Sequence, residues 1–419
     1  MPEVSLFNLA AIVITLAAAF GYVNHRWLGL PHSIGVVLIA LLASIGVLII
    51  DALAPGLGFR EAARGVLDDI DFHDTLMKGV LSFLLFAGAL HVDLEELAES
   101  KWAIGSLATV GVLISTFLVG YGLYVVIGLA GLDIPLIWCL VFGSLISPTD
   151  PVAVLGILKT VHVSPELEAK IAGESLFNDG VGVVVFSIFV ALAIGSGDGE
   201  AIGAIDMVEL FVWEALGGAA LGLAAGALAY RAMKSINEHN LEVLITLALV
   251  MMAYAIAFAI HVSGPIAVVV AGLLIGNHGT RFAMSEETSD HVRKFWSLLD
   301  EILNSGLFLL IGFEVVALTV DGPTAIVMGL AIPLVIGARF ISVAVPLSVL
   351  GLRHSFTKGA IPVLSWGGLR GGISVALALS LPAIPEKDPI LAITYAVVIF
   401  SIIVQGLTVK TVIAATRKS

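Results

Sequence analysis

The sequence predicts an all-α integral membrane protein, and three observations carry that prediction. Of 419 residues, 59% are hydrophobic and 13% charged, with a mean hydropathy of +1.07. A soluble domain is about a quarter charged, so this little charge cannot solvate a globular surface of such length. Apolar runs of about 20 residues, enough to cross a bilayer as a helix, recur along the whole chain. Glycine is abundant, at 44 residues, and small residues let membrane helices approach closely.

The runs resolve into about 13 transmembrane helices, near residues 5–24, 28–50, 73–91, 102–130, 135–158, 168–195, 207–230, 240–260, 263–277, 293–318, 323–350, 356–382 and 389–412. The segment 263–277 is short enough to be re-entrant. The first run follows an acidic flank, Met1-Pro2-Glu3-Val4, and is too long for a signal-peptide core, so it is expected to remain as an anchor. No soluble tail is expected after the last. Positive charge collects in cytoplasmic loops. With the N-terminus outside, Arg26, Lys101, Lys159, Lys170, Arg231, Lys234, Arg281, Arg293, Lys294, Arg353, Lys358, Lys410, Arg417 and Lys418 fall in cytoplasmic loops or adjoining helix ends, and only Arg60, Arg64 and Lys387 in external loops. The expectation is a multi-pass protein of the cell inner (plasma) membrane, N-terminus outside and C-terminus cytoplasmic.

Two of the spans are interrupted. The fifth carries Ser147-Pro148-Thr149-Asp150-Pro151, where each proline removes a backbone donor and disfavours helix just before it. The twelfth carries Gly367-Gly368-Leu369-Arg370-Gly371-Gly372, where the glycines loosen the helix. The whole chain, 1–419, reads as a single membrane domain. Within it, 1–195 and 240–419 read as two inverted six-helix repeats with crossed broken helices, joined by a connecting helix at 207–230. Interrupted helices at corresponding places in two halves point to a transport site.

Ionisable groups at membrane depth are costly and mark function. The densest set is Gly173-Glu174-Ser175-Leu176-Phe177-Asn178-Asp179-Gly180 in the sixth span. At about 100° per residue, Glu174, Ser175, Asn178 and Asp179 fall within roughly 140° of one helix face. Two carboxylates, an amide and a hydroxyl are oxygen donors of the kind a hard cation such as sodium takes. Thr149 and Asp150, between the two prolines, are further candidate ligands, and Asp150 is also placed to cap the half-helix that follows it. An unpaired guanidinium among the glycines of the twelfth span would be expensive, so Arg370 needs a buried acidic partner. Glu174 is the candidate, which leaves Asp179 free to exchange ligands. Asn304 is a further polar residue within reach of the site. Asp300 and Glu301 are expected near the cytoplasmic end, Lys78 and Arg339 to snorkel, and Glu214, Glu242 and Glu314 to face protein or a helix end. His239 and His278 fall in expected cytoplasmic loops.

Other classes of function find little support. A net charge of −13, from 33 acidic and 20 basic residues, argues against nucleic acid as a partner. The single cysteine, Cys139, excludes an internal disulfide and a Cys-rich metal site. There is no HExxH and no Gly-x-Ser-x-Gly, and no filter-like loop of a channel. No cofactor is expected; the partners are a monovalent cation, a proton and the bilayer.

With these residues in hand, the chain resembles the NhaP-type sodium/proton antiporters, bacterial and archaeal relatives of the animal sodium/proton exchangers. The resemblance covers essentially the whole chain and rests on SPTDPV at Ser147 to Val152, GESLFNDG at Gly173 to Gly180, FLLFAGALHVD at Phe83 to Asp93 and WGGLRGGIS at Trp366 to Ser374. It implies the NhaA-like antiporter fold, a homodimer, and exchange of sodium or lithium for protons, with potassium/proton exchange as the competing reading. It implies that Asp179 binds ion and proton, that Asn178, Ser175, Thr149 and Asp150 line or support that site, and that Glu174 and Arg370 form a stabilising pair. Sodium would contact Asp179, Ser175 and Thr149. Ala87 stands where many members have a glutamate, which removes a possible ligand. Asn178 stands where electrogenic relatives carry an aspartate, which implies electroneutral one-for-one exchange.

Overall fold

The computed structural model describes residues 6–54, 79–150, 154, 165–198, 204–316, 318, 320–352 and 359–416. Among them the chain is helical apart from turns and one isolated antiparallel bridge, between Asp150 and Leu369. The helices are α1 (Leu6–Val23), α2 (His32–Leu53), α3 (Leu81–His91), α4 (Leu94–Glu99), α5 (Lys101–Leu129), α6 (Leu136–Ile146), α7 (Pro165–Asp198), α8 (Ala204–Lys234), α9 (His239–Ala259), α10 (Gly264–Leu274), α11 (Glu286–Glu314), α12 (Gly322–Gly351), α13 (Ala360–Gly367), α14 (Gly372–Leu379) and α15 (Lys387–Thr416). Nine helices among the described residues are long and apolar enough to cross a membrane, and α3 and α6 are shorter apolar helices. Large apolar side chains such as Phe7, Leu129 and Leu352 stand open on the outside, as a lipid-facing surface requires.

Nine of the 13 expected spans coincide with these long helices, while those near 73–91, 135–158, 263–277 and 356–382 hold, among the described residues, the shorter α3, α6, α10, and α13 with α14. The first part of the span 73–91, nearly all of 151–158, and Arg60, Arg64, Lys78, Lys159, Arg353 and Lys358 lie outside the described residues. The span expected at 293–318 begins earlier, at Glu286. Ser285 caps it by accepting from the Thr288 amide, with Glu286 and Glu287 in the first turn. The polar stretch before Phe295 is therefore helix, which an apolar window cannot see.

In lipid no hydrophobic force draws helices together, so contact rests on close fit. Glycine provides it. A Cβ on Gly120 would stand 2.9 Å from Leu140 Cα, and one on Gly143 would overlap the Thr116 carbonyl oxygen, so α5 and α6 touch backbone to backbone. Gly218, Gly222 and Gly226 bring α8 against α10 in the same way, and Gly272 and Gly276 bring α10 against α3. Gly312 lets α11 lie along α2, where Ser44 Oγ donates to the Gly312 carbonyl at 2.8 Å. One buried cluster joins α2, α5, α6, α12, α13, α14 and α15; a second gathers α3, α9 and α10 around Trp296 of α11. The Trp296 indole lies 4.6 Å from the Phe86 ring, and its Nε1 donates to Thr246 Oγ1 at 2.9 Å.

Replacing Gly143 by valine is expected to cost about 1–3 kcal/mol through overpacking, read as a lower melting temperature of the purified protein in detergent. Gly337→Ala, whose added Cβ would meet nothing within 4 Å, is expected to leave the melting temperature no lower.

Candidate functional site

The site is built where two helices stop short. Helix α6 has 11 residues, about 16 Å of rise, roughly half of the hydrocarbon core. It ends at Ile146, ahead of Pro148, which has no amide to offer. Ser147 turns its hydroxyl back onto the Gly143 carbonyl at 2.6 Å. Helices α13 and α14, of eight residues each, are separated by Gly368 to Gly371. The two breaks meet. The Asp150 amide donates to the Leu369 carbonyl at 2.8 Å. Arg370 Nη1 donates to the carbonyls of Ser147 at 2.5 Å and Pro148 at 2.9 Å. Its own amide donates to Ser401 Oγ at 2.9 Å, and Ser401 in turn donates to Gln405 Oε1 at 2.6 Å.

Helix α7 carries the polar face against the first break. Asn178 Oδ1 accepts from the Thr149 amide at 3.3 Å, while Asn178 Nδ2 donates to Thr149 Oγ1 at 2.8 Å. The Ser175 hydroxyl donates to the Thr149 carbonyl. Thr149, Glu174, Ser175, Asn178 and Asp179 are all buried, and Asp150 is half-buried. Asp179 Oδ1 has no hydrogen-bond partner among the described residues. A small cavity beside these groups is lined by Thr149, Asp150, Glu174, Ser175, Arg339 and Gly368 among others.

The structure corrects one pairing. Glu174 is not held by Arg370. Both its oxygens are taken by Arg339 of α12, at 2.5 and 2.9 Å, and Arg339 Nη2 also donates to the Leu364 carbonyl at 3.1 Å. Arg339 is 6% exposed and does not snorkel. The signal for this was depth. Arg339 lies 11 residues from the nearer end of its expected span, 323–350, about 16 Å along the axis and too deep for its arm to reach water. Arg370 finds backbone carbonyls instead of a carboxylate, because the end of α6 presents them where the two breaks cross.

The weaker candidates sit elsewhere. Asn304 is buried, but its amide donates to Asp300 Oδ1 on its own helix at 3.1 Å. Ala87 is buried in the cluster around Trp296, and its carbonyl is bonded to His91 Nδ1. His239 opens α9 and stacks on His291 at 4.5 Å, and His278 lies beside Phe282. Among the described residues no three His, Cys, Asp or Glu side chains come together as a metal cluster. The donors at the crossing are hydroxyl, carbonyl and carboxylate oxygens, which suit an alkali cation.

Two broken helices crossing beside buried oxygen donors and a carboxylate define, as a class, an ion-coupled secondary transporter. Residues 12–415 match the family described as sodium/hydrogen exchanger, transmembrane. The chain is 46% identical over 414 residues to the Na(+)/H(+) antiporter NhaP of Pseudomonas aeruginosa, covering 96% of this chain and 95% of that one. It is 34% identical over 384 residues to the Na(+)/H(+) antiporter NhaH of Halobacillus dabanensis, covering 91% of each. Its fold matches the sodium proton antiporter MjNhaP1 from Methanocaldococcus jannaschii with a TM-score of 0.76, over 99% of both chains, at 19% identity. The chain belongs to the sodium/hydrogen exchanger family. It is a multi-pass membrane transporter, not an enzyme.

Removing one member of a buried ion pair strands the other, at a cost of about 3–5 kcal/mol, whereas an apolar pair in its place is often neutral. Glu174→Ala and Arg339→Ala are each expected to lower the melting temperature in detergent strongly, and Glu174→Leu with Arg339→Met to recover most of that loss. Arg370→Ala should leave the Glu174–Arg339 pair intact.

Proposed function

We propose that this chain exchanges sodium for protons across the plasma membrane, one for one, by competition at Asp179. The observation that carries the reading is the unequal fate of two acids on one face of α7. Glu174 is consumed by Arg339, while an oxygen of Asp179 has no hydrogen-bond partner among the described residues. Asp179 binds a proton or a partly dehydrated cation in turn, with Ser175 and Thr149 as further sodium contacts, and Asn178 and Asp150 in support. Asn178 carries no proton at this position, so one carboxylate exchanges one charge for one. Both loaded states are neutral at the site and can pass the membrane barrier; the empty carboxylate is charged and costly to move, which suppresses leak. The names of the relatives, sodium/proton antiporters at 46% and 34% identity, support sodium as the cation.

On the same reading, 1–195 and 240–419 are inverted repeats joined through 207–230, the N-terminus faces outward, and two copies form a homodimer whose outer helices stay fixed while the core moves. The two breaks, one in each half, and the bonds between them support the repeat assignment. Family resemblance supports the dimer and the orientation.

In proteoliposomes with an internal pH dye and a clamped membrane potential, a sodium gradient is expected to drive proton movement in the native chain and none in Asp179→Asn. Full exchange in that variant would end the proposal, and a larger response to potassium would reassign the cation. Competition also sets a pH dependence. Where protons dominate Asp179, each unit of falling pH should raise the apparent KM for sodium about tenfold, with the maximal rate unchanged; a KM flat from acid to alkaline pH would contradict a shared site.

A further inference from the structure

Two glycines of the second break are held in backbone conformations open to any residue: φ is −74° at Gly368 and −132° at Gly371. Conformational freedom therefore does not explain them. What a side chain would meet does. A Cβ on Gly368 would stand 2.5 Å from Arg339 Nε, 2.7 Å from Nη2 and 2.8 Å from Cζ. A Cβ on Gly371 would overlap the Asp150 side chain, with Cγ at 2.7 Å and Oδ2 closer still. Both neighbours are charged groups of the site. Each lies on the bare backbone of the break, one on either side of Leu369 and Arg370.

We infer that Gly368 and Gly371 are positioning residues of the exchange site. Gly368 lets the Arg339 guanidinium lie flat on the break, at the height where its two Nη atoms meet Glu174. Gly371 lets the Asp150 carboxylate draw in against the start of α14, where the helix end favours an anion, and so sets its place beside the α7 face that carries Asp179. A methyl group at Gly371 pushes the half-buried Asp150 carboxylate relative to the buried Asp179. Moving a charge by about 1 Å beside the exchange carboxylate changes its ion affinity by severalfold, up to about tenfold for a close pair.

The neighbouring Gly372 separates this role from mere packing. Its missing Cβ faces the apolar Leu307 side chain, so a methyl group there meets packing and no charged group of the site. Native chain, Gly371→Ala, Gly372→Ala and Gly337→Ala are compared for sodium-driven proton movement in proteoliposomes and for melting in detergent. Gly371→Ala is expected to shift the apparent KM for sodium about tenfold while Gly372→Ala and Gly337→Ala keep the native KM. A native KM in Gly371→Ala, or an equal shift in Gly372→Ala, overturns the inference. If Gly371→Ala does not fold, adding Asp150→Gly, which removes the atoms its methyl would meet, must restore folding; continued failure overturns it as well. Likewise Gly368→Ala is expected to cost nothing further in melting temperature once Arg339→Ala has removed the guanidinium, and additive losses would count against it. The inference rests on Asp179 as the exchange site, so Asp179→Asn is measured in the same preparation. Exchange surviving there ends that assignment and leaves the glycines to the melting comparison. Exchange lost there, with native KM in Gly371→Ala, ends this inference alone.

Discussion

The grip of the two helix breaks on each other is the constraint from which the rest follows. Stopping a helix leaves amides and carbonyls without partners, and in lipid each costs several kcal/mol. The two breaks, buried side by side in protein, meet much of that cost together. Each satisfies the other. Arg370 brings its guanidinium to the carbonyls that follow α6, and Leu369 offers its carbonyl to the Asp150 amide. Charge follows the helix dipoles: a cation sits at the C-terminal end of α6 and a carboxylate against the N-terminal end of α14, the arrangement each end favours. Irregular backbone survives at this depth because it is buried in protein and the breaks exchange hydrogen bonds with each other and with α7.

That arrangement sorts the buried charges. Arg370 is occupied by backbone and does not neutralise an acid directly. Arg339 comes in from α12 and takes both oxygens of Glu174. A buried pair of this kind adds little net stability, since desolvation offsets attraction, but it fixes geometry, because a bidentate fork tolerates one orientation. Its consequence lies one turn along α7. With Glu174 closed, Asp179 is the acid on that face with an oxygen still open. A second arginine, buried on α12, thus occupies one of two neighbouring carboxylates and leaves the other with an open oxygen.

Much of this was legible in the sequence. The prolines at 148 and 151 and the glycines from 367 to 372 marked the breaks, and helical spacing put Glu174, Ser175, Asn178 and Asp179 on one face. What failed was the pairing of Glu174, for a physical reason. Proximity in motif favoured Arg370, which lies in a break, over Arg339, which lies inside an unbroken apolar helix. Pairing depends on how α12 packs beside α7 and α13, and no local pattern encodes that packing. The start of α11 was hidden for the opposite reason: it is helix, but polar, and hydropathy reports only its apolar half. The glycines of the second break were legible as loosening elements, whereas the groups lying against them were visible only in three dimensions.

The hydrogen-bond network around Thr149 bears on what the crossing can hold. The Ser175 hydroxyl has given its hydrogen to the Thr149 carbonyl, and Asn178 uses both its amide oxygen and its nitrogen on Thr149. Donors are thereby turned inward, onto one residue. The Ser175 oxygen and the Thr149 carbonyl and hydroxyl oxygens each keep a lone pair that these bonds do not use, and Asp179 keeps an oxygen with no partner among the described residues. Such a surface presents acceptors and few donors, so it suits a cation or a proton and repels an anion. The Ser175 hydroxyl and the Asn178 amide, both bonded to Thr149, hold α7 to the break. On the proposed reading a cation adds to the free lone pairs of these oxygens while those bonds stay in place, so the crossing keeps its shape as its occupant changes, which is what a carrier moving as a rigid body needs from its site.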